Sequence, residues 1–184
     1  EERALLLRLP SPSPGLAPRH CPICGYDGDF VPFGVVPRLD AMCPNCRSLE
    51  RHRQFRLLFD RANPLPSDAS LLHFAPEAAV AAFVRPLCSS YVTTDLFRDD
   101  VDIKLNIEAI DMPEGSFDAL ICSHVLEHVD DGAALPELFR ILKPGGVALL
   151  TVPIVEGWET SYEDPAIATE RERLLHFGQR DHVR

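Results

Sequence analysis

The sequence predicts an α/β protein: a mostly parallel sheet with helices between its strands, preceded by a small cysteine-held metal ribbon. Three observations lead there. From residue 69 onward, short apolar runs alternate with stretches of helical period. Ahead of them stand two C-x-x-C pairs, Cys21/Cys24 and Cys43/Cys46, with 18 residues between the pairs. The 184 residues are 46% hydrophobic and 25% charged, which suits one packed domain with a small appendage.

The chain opens with a proline-rich stretch, residues 10–18 (PSPSPGLAP), which can be neither helix nor central strand; residues 1–18 read as a tether. Residues 19–62 form the next unit. Each C-P-x-C knuckle places two thiolates on one tight turn, and a short hairpin can join the turns into a tetrahedral four-sulfur site. Phe30, Val31, Phe33, Val35 and Val36, broken by Gly34 and Pro37, suit the hairpin strands. With Cys21, Cys24, Cys43 and Cys46 all bound, no coordination position stays open, so the expected zinc is structural. A helix should follow over residues 47–62, its apolar face built from Phe55, Leu58, Phe59 and Ala62. Arg47, Arg51, His52, Arg53, Arg56 and Arg61 make it the most basic part of the chain. They are either a solvated face or a site for a ligand's carboxylate or phosphate. Residues 63–68 (NPLPSD) end the helix and mark a boundary.

The alternating region runs from residue 69 to 153. Strands are expected at SLLHF, YVTTDLF, VDIKLNI, FDALICS and GVALLTVPI. Helices are expected at EAAVAAFVRPL and around Leu135, Leu138, Phe139 and Leu142, the latter closed by Gly145 and Gly146. In a parallel sheet of this kind ligands bind beyond the carboxyl ends of the strands. Asp95, closing the second strand, suits the hydroxyls of a ribose, though an acid there as often caps a helix. Cys88 and Cys122, alone in apolar surroundings, read as small buried thiols.

Composition narrows the partners. The formal charge is −10, and nucleic-acid affinity rests largely on neutralising phosphates, which argues against such a partner. No run reaches the roughly 18 apolar residues of a membrane span, and Glu1-Glu2 begins no secretory signal. Reduced thiols without an export signal point to the cytoplasm. The start without Met points to a piece of a longer chain. Oligomeric state is not legible.

Residues 117–153, FDALICSHVLEHVDDGAALPELFRILKPGGVALLTVP, resemble the fourth-to-fifth strand region of class I S-adenosylmethionine-dependent methyltransferases, and the order of elements agrees over residues 69–153. The shared phrases are Phe117-Asp118, Leu126-Glu127-His128-Val129 and Leu142-Lys143-Pro144-Gly145-Gly146. The resemblance implies a Rossmann-like methyltransferase sheet, here without a counterpart of the usual last strand pair. It implies S-adenosylmethionine as cofactor beside the structural zinc. Asp95 then matches the acid on the ribose, Asn106 and Ile107 the residues against adenine, and Ser123 and His124 the methyl-transfer face. Glu127 and His128 read as mainly structural, with Leu126 and Val129 packed.

The first strand departs from that pattern. Where relatives carry an acid and two glycines, LLHFAPE places His73, Ala75 and Glu77, and Pro76 offers no N–H. Ala75 is nearly as small as glycine, and Glu77 could meet the cofactor's ammonium group, so the site is expected to be altered and still competent. His124 is the first candidate base, with Asp181 and His182 of the terminal HFGQRDHVR as alternatives. Residues 154–184, which contain Trp158, are expected to form an insert over the acceptor. The leading expectation is methyl transfer to a small-molecule or sugar-containing acceptor. The alternatives are a zinc-ribbon RNA methyltransferase, favoured by the arginines, and a binding module without activity, favoured by the glycine-free loop.

Overall fold

A computed structural model describes residues 18–34, 37–154, 157 and 159–183. The tether (apart from Pro18), Val35, Val36 and Trp158 lie outside the described residues. The chain divides into two compact units, one drawn from Glu1–Pro64 and Glu77–Val84, the other from Leu65–Pro76 and Arg85–Arg184.

In the first unit, β1 (Arg19–His20) pairs antiparallel with β2 (Asp27–Gly28), and β3 (Val31–Phe33) with β4 (Arg38–Met42). Cys21 and Cys43 are fully buried beside Phe30. The two knuckles are built alike. Cys21 N–H donates to Tyr26 O and Gly25 N–H to Cys21 O; Cys43 N–H donates to Ser48 O and Arg47 N–H to Cys43 O. Each knuckle ends in a left-handed residue, Gly25 at φ 72° and Arg47 at φ 60°. Glycine takes that conformation freely, while Arg47 holds it against its own Cβ.

Helix α1 (Glu50–Arg61) is the expected basic helix, two turns of which bury His52, Phe55 and Phe59. Leu58, expected on the buried face, is instead 41% exposed. The stripe is narrower than the spacing of apolar residues implies, because His52 takes a buried place one turn before Phe55. Helix α2 (Ala78–Val84) lies against α1, with Phe83 edge-on to Phe59 at 5.6 Å and the Arg56 guanidinium over the Phe83 ring.

The second unit holds a five-stranded parallel sheet in the order β7-β6-β5-β8-β9. Its strands are β5 (Ser70–Phe74), β6 (Ser90–Asp95), β7 (Ile103–Lys104), β8 (Phe117–Ser123) and β9 (Leu142–Thr151). The central β5 and β8 read as unbroken apolar runs because they are buried throughout or nearly so. Strand β7 is shorter than VDIKLNI implies. Its start is held by Asp102, whose carboxylate accepts from the Thr93 N–H and hydroxyl.

Helix α3 (Asp131–Ile141) is capped by Asp130, which accepts from Ala133 N–H. Its period is as expected but its phase is not: Ala134, Leu138 and Ile141 are buried, whereas Leu135 and Phe139 are exposed. The face that includes Glu137 and Arg140 is taken up by the loop before β8, since Glu137 accepts from Ile110 N–H and Arg140 donates to the Ile110 and Met112 carbonyls. Gly145 and Gly146 do not close this helix. The chain re-enters the sheet at Leu142, opposite Phe117, and the glycines form an irregularity within β9. A Cβ on Gly146 would lie 3.0 Å from the Asp118 carbonyl oxygen, so a close strand approach fixes that residue. Helix α4 (Glu170–Phe177) opens with a Thr169–Glu172 capping box and ends at left-handed Gly178.

Candidate functional site

Strands β5, β6 and β8 end on one edge of the sheet. At the end of β5 the glycine-free turn is made by Ala75, which adopts φ 46°, the left-handed region. Its N–H donates to Thr94 O on β6 at 2.8 Å, so the strained residue is pinned to the neighbouring strand. Alanine thus keeps the backbone path that glycine would supply, at a cost of about 1–2 kcal/mol. His124, following β8, is also left-handed, at φ 55°, and its N–H donates to Thr151 O. Two adjacent central strands therefore leave the sheet through strained non-glycine turns on the same edge.

On the other side of β5, β6 ends in Asp95. Its Oδ1 accepts from Phe97 and Arg98 N–H, which fixes the carboxylate. Its Oδ2 makes no hydrogen bond among the described residues. A half-buried, oriented carboxylate with one oxygen uncommitted fits a ribose diol. Beyond β7, exposed Asn106 turns its Oδ1 to Glu108 N–H, while Ile107 is 5% exposed and belongs to the core. Ser123 is buried at the end of β8 and accepts from Thr151 Oγ1.

Two residues of the turn are drawn elsewhere. His73 is fully buried, with Nδ1 bonded to Tyr91 Oη and its ring edge-on to that of Tyr91. Glu77 belongs to the first unit, where its Oε1 meets Arg51 and the His52 Nε2 at 2.7 Å. His52 Nδ1 accepts from Leu49 N–H, so its Nε2 carries the proton that goes to Glu77. Burial alone would raise the Glu77 pKa, but the bonds from His52 and Arg51 prevail and hold it at about 2. The anion that the basic helix receives is thus one of the chain's own carboxylates. Two of its other arginines are similarly engaged, Arg53 with the Ser48 and Ala41 carbonyls and Arg56 with Asp60. Sequence reading missed this because Arg51 and Glu77 are 26 residues apart.

His124 Nδ1 lies 3.0 Å from Glu127 Oε1. The Glu127 side chain is 3% exposed; burial would raise its pKa, yet the His124 bond outweighs that and keeps it ionised. The terminal segment comes to the same place. Val183 N–H donates to Glu127 O, His182 is buried with its ring edge-on to His128 at 4.7 Å, and His128 Nδ1 is 3.3 Å from Asp181 Oδ2. The separate candidates His124, Asp181 and His182 thus form one cluster with Glu127 and His128, which the family resemblance had given a mainly structural role. Cys122 stays out of any chemistry, its thiol pushed up to about 12 by burial.

In the first unit the four cysteine sulfurs lie within 4.8 Å of one another. Cys21 Sγ is 3.6 Å from Cys46 Sγ and Cys24 Sγ 3.7 Å from Cys43 Sγ. Both are far beyond a disulfide's ~2 Å. A zinc ion with Zn–S bonds of about 2.3 Å spaces its tetrahedral sulfurs about 3.8 Å apart, so the residues fit that metal.

Residues 77–150 match the family model described as a methyltransferase domain. The YcgJ protein of Bacillus subtilis is similar over 72% of this chain and 62% of its own, at 21% identity and a TM-score of 0.52. The [4+2]-cyclase SpnF is similar over 65% of this chain and 53% of its own, at 15% identity and a TM-score of 0.49. An S-adenosylmethionine-dependent methyltransferase from Mesorhizobium loti is similar over 71% of this chain and 72% of its own, at 15% identity and a TM-score of 0.46. The chain spans less than two thirds of the length of YcgJ and of SpnF. No curated protein matches it. The parallel five-stranded sheet is of the Rossmann-like methyltransferase type.

Proposed function

We propose that the chain transfers a methyl group from S-adenosylmethionine to a small-molecule or sugar-containing acceptor, with a structural zinc in its ribbon. The observation that carries the reading is the sheet edge itself, where strained Ala75 after central β5 lies between Asp95 of β6, with its uncommitted Oδ2, and strained His124 after β8. Asp95 would hold the ribose hydroxyls, Asn106 and Ile107 would meet adenine, and Ala75 and Ser123 would line the cofactor. His73 and Glu77 would support the turn through Tyr91 and Arg51, with neither touching the cofactor.

The donor methyl is already activated on a sulfonium, so the chain's task is to place the acceptor and remove its proton. Glu127 orients His124 through Nδ1, which leaves Nε2 to take the proton from an acceptor O–H or N–H as that atom attacks the methyl carbon. Bound S-adenosylmethionine would supply the methyl group and leave as S-adenosylhomocysteine, its sulfur keeping the electrons of the carbon–sulfur bond.

Arginines bound within the first unit weigh against the RNA reading. Release of S-adenosylhomocysteine, followed with hydroxylated small molecules and with structured RNA at rising salt, separates the two. Turnover on the former without steep salt dependence is expected. Turnover on RNA alone, falling steeply with salt, would overturn the assignment of acceptor.

A further inference from the structure

The second unit brings together a carboxylate and two imidazoles from distant parts of the sequence. Ligand atoms of Glu127, His128 and His182 lie within 4.8 Å of one another, although His182 is 54 residues beyond His128. The arrangement is closed by backbone as well as side chains, through the Val183 N–H bond to Glu127 O at 2.9 Å.

Three features point to a ligand. First, Glu127 is 3% exposed, and while its Oε1 is taken by His124, its Oε2 is buried without a hydrogen-bond partner among the described residues. A buried carboxylate oxygen left in that state is costly unless something cationic meets it. Second, His128 Nδ1 faces Asp181, at 3.3 Å from both its carbonyl and its Oδ2, which leaves Nε2 for another partner. A metal-bound histidine is commonly held in this way, its second nitrogen donating to a carboxylate or carbonyl. Third, His182 is 4% exposed and its ring stands edge-on to that of His128 at 4.7 Å, so the two imidazoles converge beside the Glu127 carboxylate.

We propose that Glu127, His128 and His182 form a second metal site, distinct from the cysteine ribbon, for a borderline divalent cation such as Zn2+, Co2+ or Mn2+. Two imidazoles and one carboxylate suit such ions, and three protein ligands leave coordination positions open. His124 shares Glu127 with the site and follows Ser123 at the sheet edge. Resting on the methyltransferase reading, the open positions would take an acceptor's hydroxyl oxygen and make its proton easier to remove, which narrows the acceptor to an alcohol or vicinal diol.

Metal counting tests the site without reference to activity. The 184-residue chain is equilibrated with micromolar Zn2+, or with Co2+, freed of loose metal and analysed for bound ions. The expected result is a second equivalent beyond that of the ribbon, lost in His182→Ala and in Glu127→Gln and retained in Cys43→Ser. Co2+ in the second site should give the weak absorption of nitrogen and oxygen ligands, without thiolate charge-transfer bands. This reading on the unaltered chain does not depend on how the variants fold. A single equivalent with only thiolate bands, or a second one that survives in both His182→Ala and Glu127→Gln, would overturn the proposal. S-adenosylhomocysteine binding measured in the same samples separates its failure from failure of the methyltransferase reading.

Discussion

Ala75 bears directly on whether a turn without glycine can still serve a cofactor. Its φ of 46° is one that glycine adopts freely, so Ala75→Gly removes strain of about 1–2 kcal/mol. The more flexible unfolded chain takes back about 0.5–1 kcal/mol. The variant should therefore be as stable as the parent or up to about 1.5 kcal/mol more so by urea unfolding. A clear loss of stability would contradict the geometry. Glu77 gives a pH signature. Its folded pKa of about 2 lies below the ordinary 4.5, so its stabilisation is complete above pH 4.5 and is lost as the pH falls towards 2. Glu77→Gln should cost about 2–3 kcal/mol at pH 7 and almost nothing near pH 2. A cost independent of pH would show that the ion pair with Arg51 is not the cause.

Between elements, one carboxylate joins three strands. Asp118 on β8 accepts from the Ser70 N–H and hydroxyl on β5 and from Lys143 Nζ on β9. The Ser70 and Lys143 bonds hold its carboxyl well below the usual range. Asp118→Ala should cost about 3 kcal/mol, with little change in cofactor affinity, because Asp118 begins β8 and the candidate site lies past its end. In the ribbon, Cys43→Ser should release the metal and lower the thermal stability of the first unit, as read by metal analysis and a melting curve. Element identity was largely legible: the SLLHF and FDALICS runs match β5 and β8 residue for residue. Helix phase was not. In α3, Leu135 and Phe139 point outward because neighbouring polar residues, Glu137 and Arg140, are bound to the 110–112 loop. Periodicity counts apolar side chains and cannot see which face a distant loop will occupy.

Across the molecule, what sequence concealed was chiefly long-range convergence. The knuckle spacing made the four sulfurs a legible cluster, because both pairs carry the same local turn. Asp95 was legible as a strand-closing acid. Nothing local could indicate that the 181–183 segment returns to Glu127 and His128, or that Glu77 belongs with Arg51 and His52. The central claim remains the sheet edge, and calorimetric titration with S-adenosylhomocysteine, beside an Asp95→Ala control, tests it most directly. Micromolar binding that weakens at least tenfold in the control is the predicted result. Absence of binding in a fully folded, metal-replete chain, or equal binding by the Asp95→Ala variant, would contradict it.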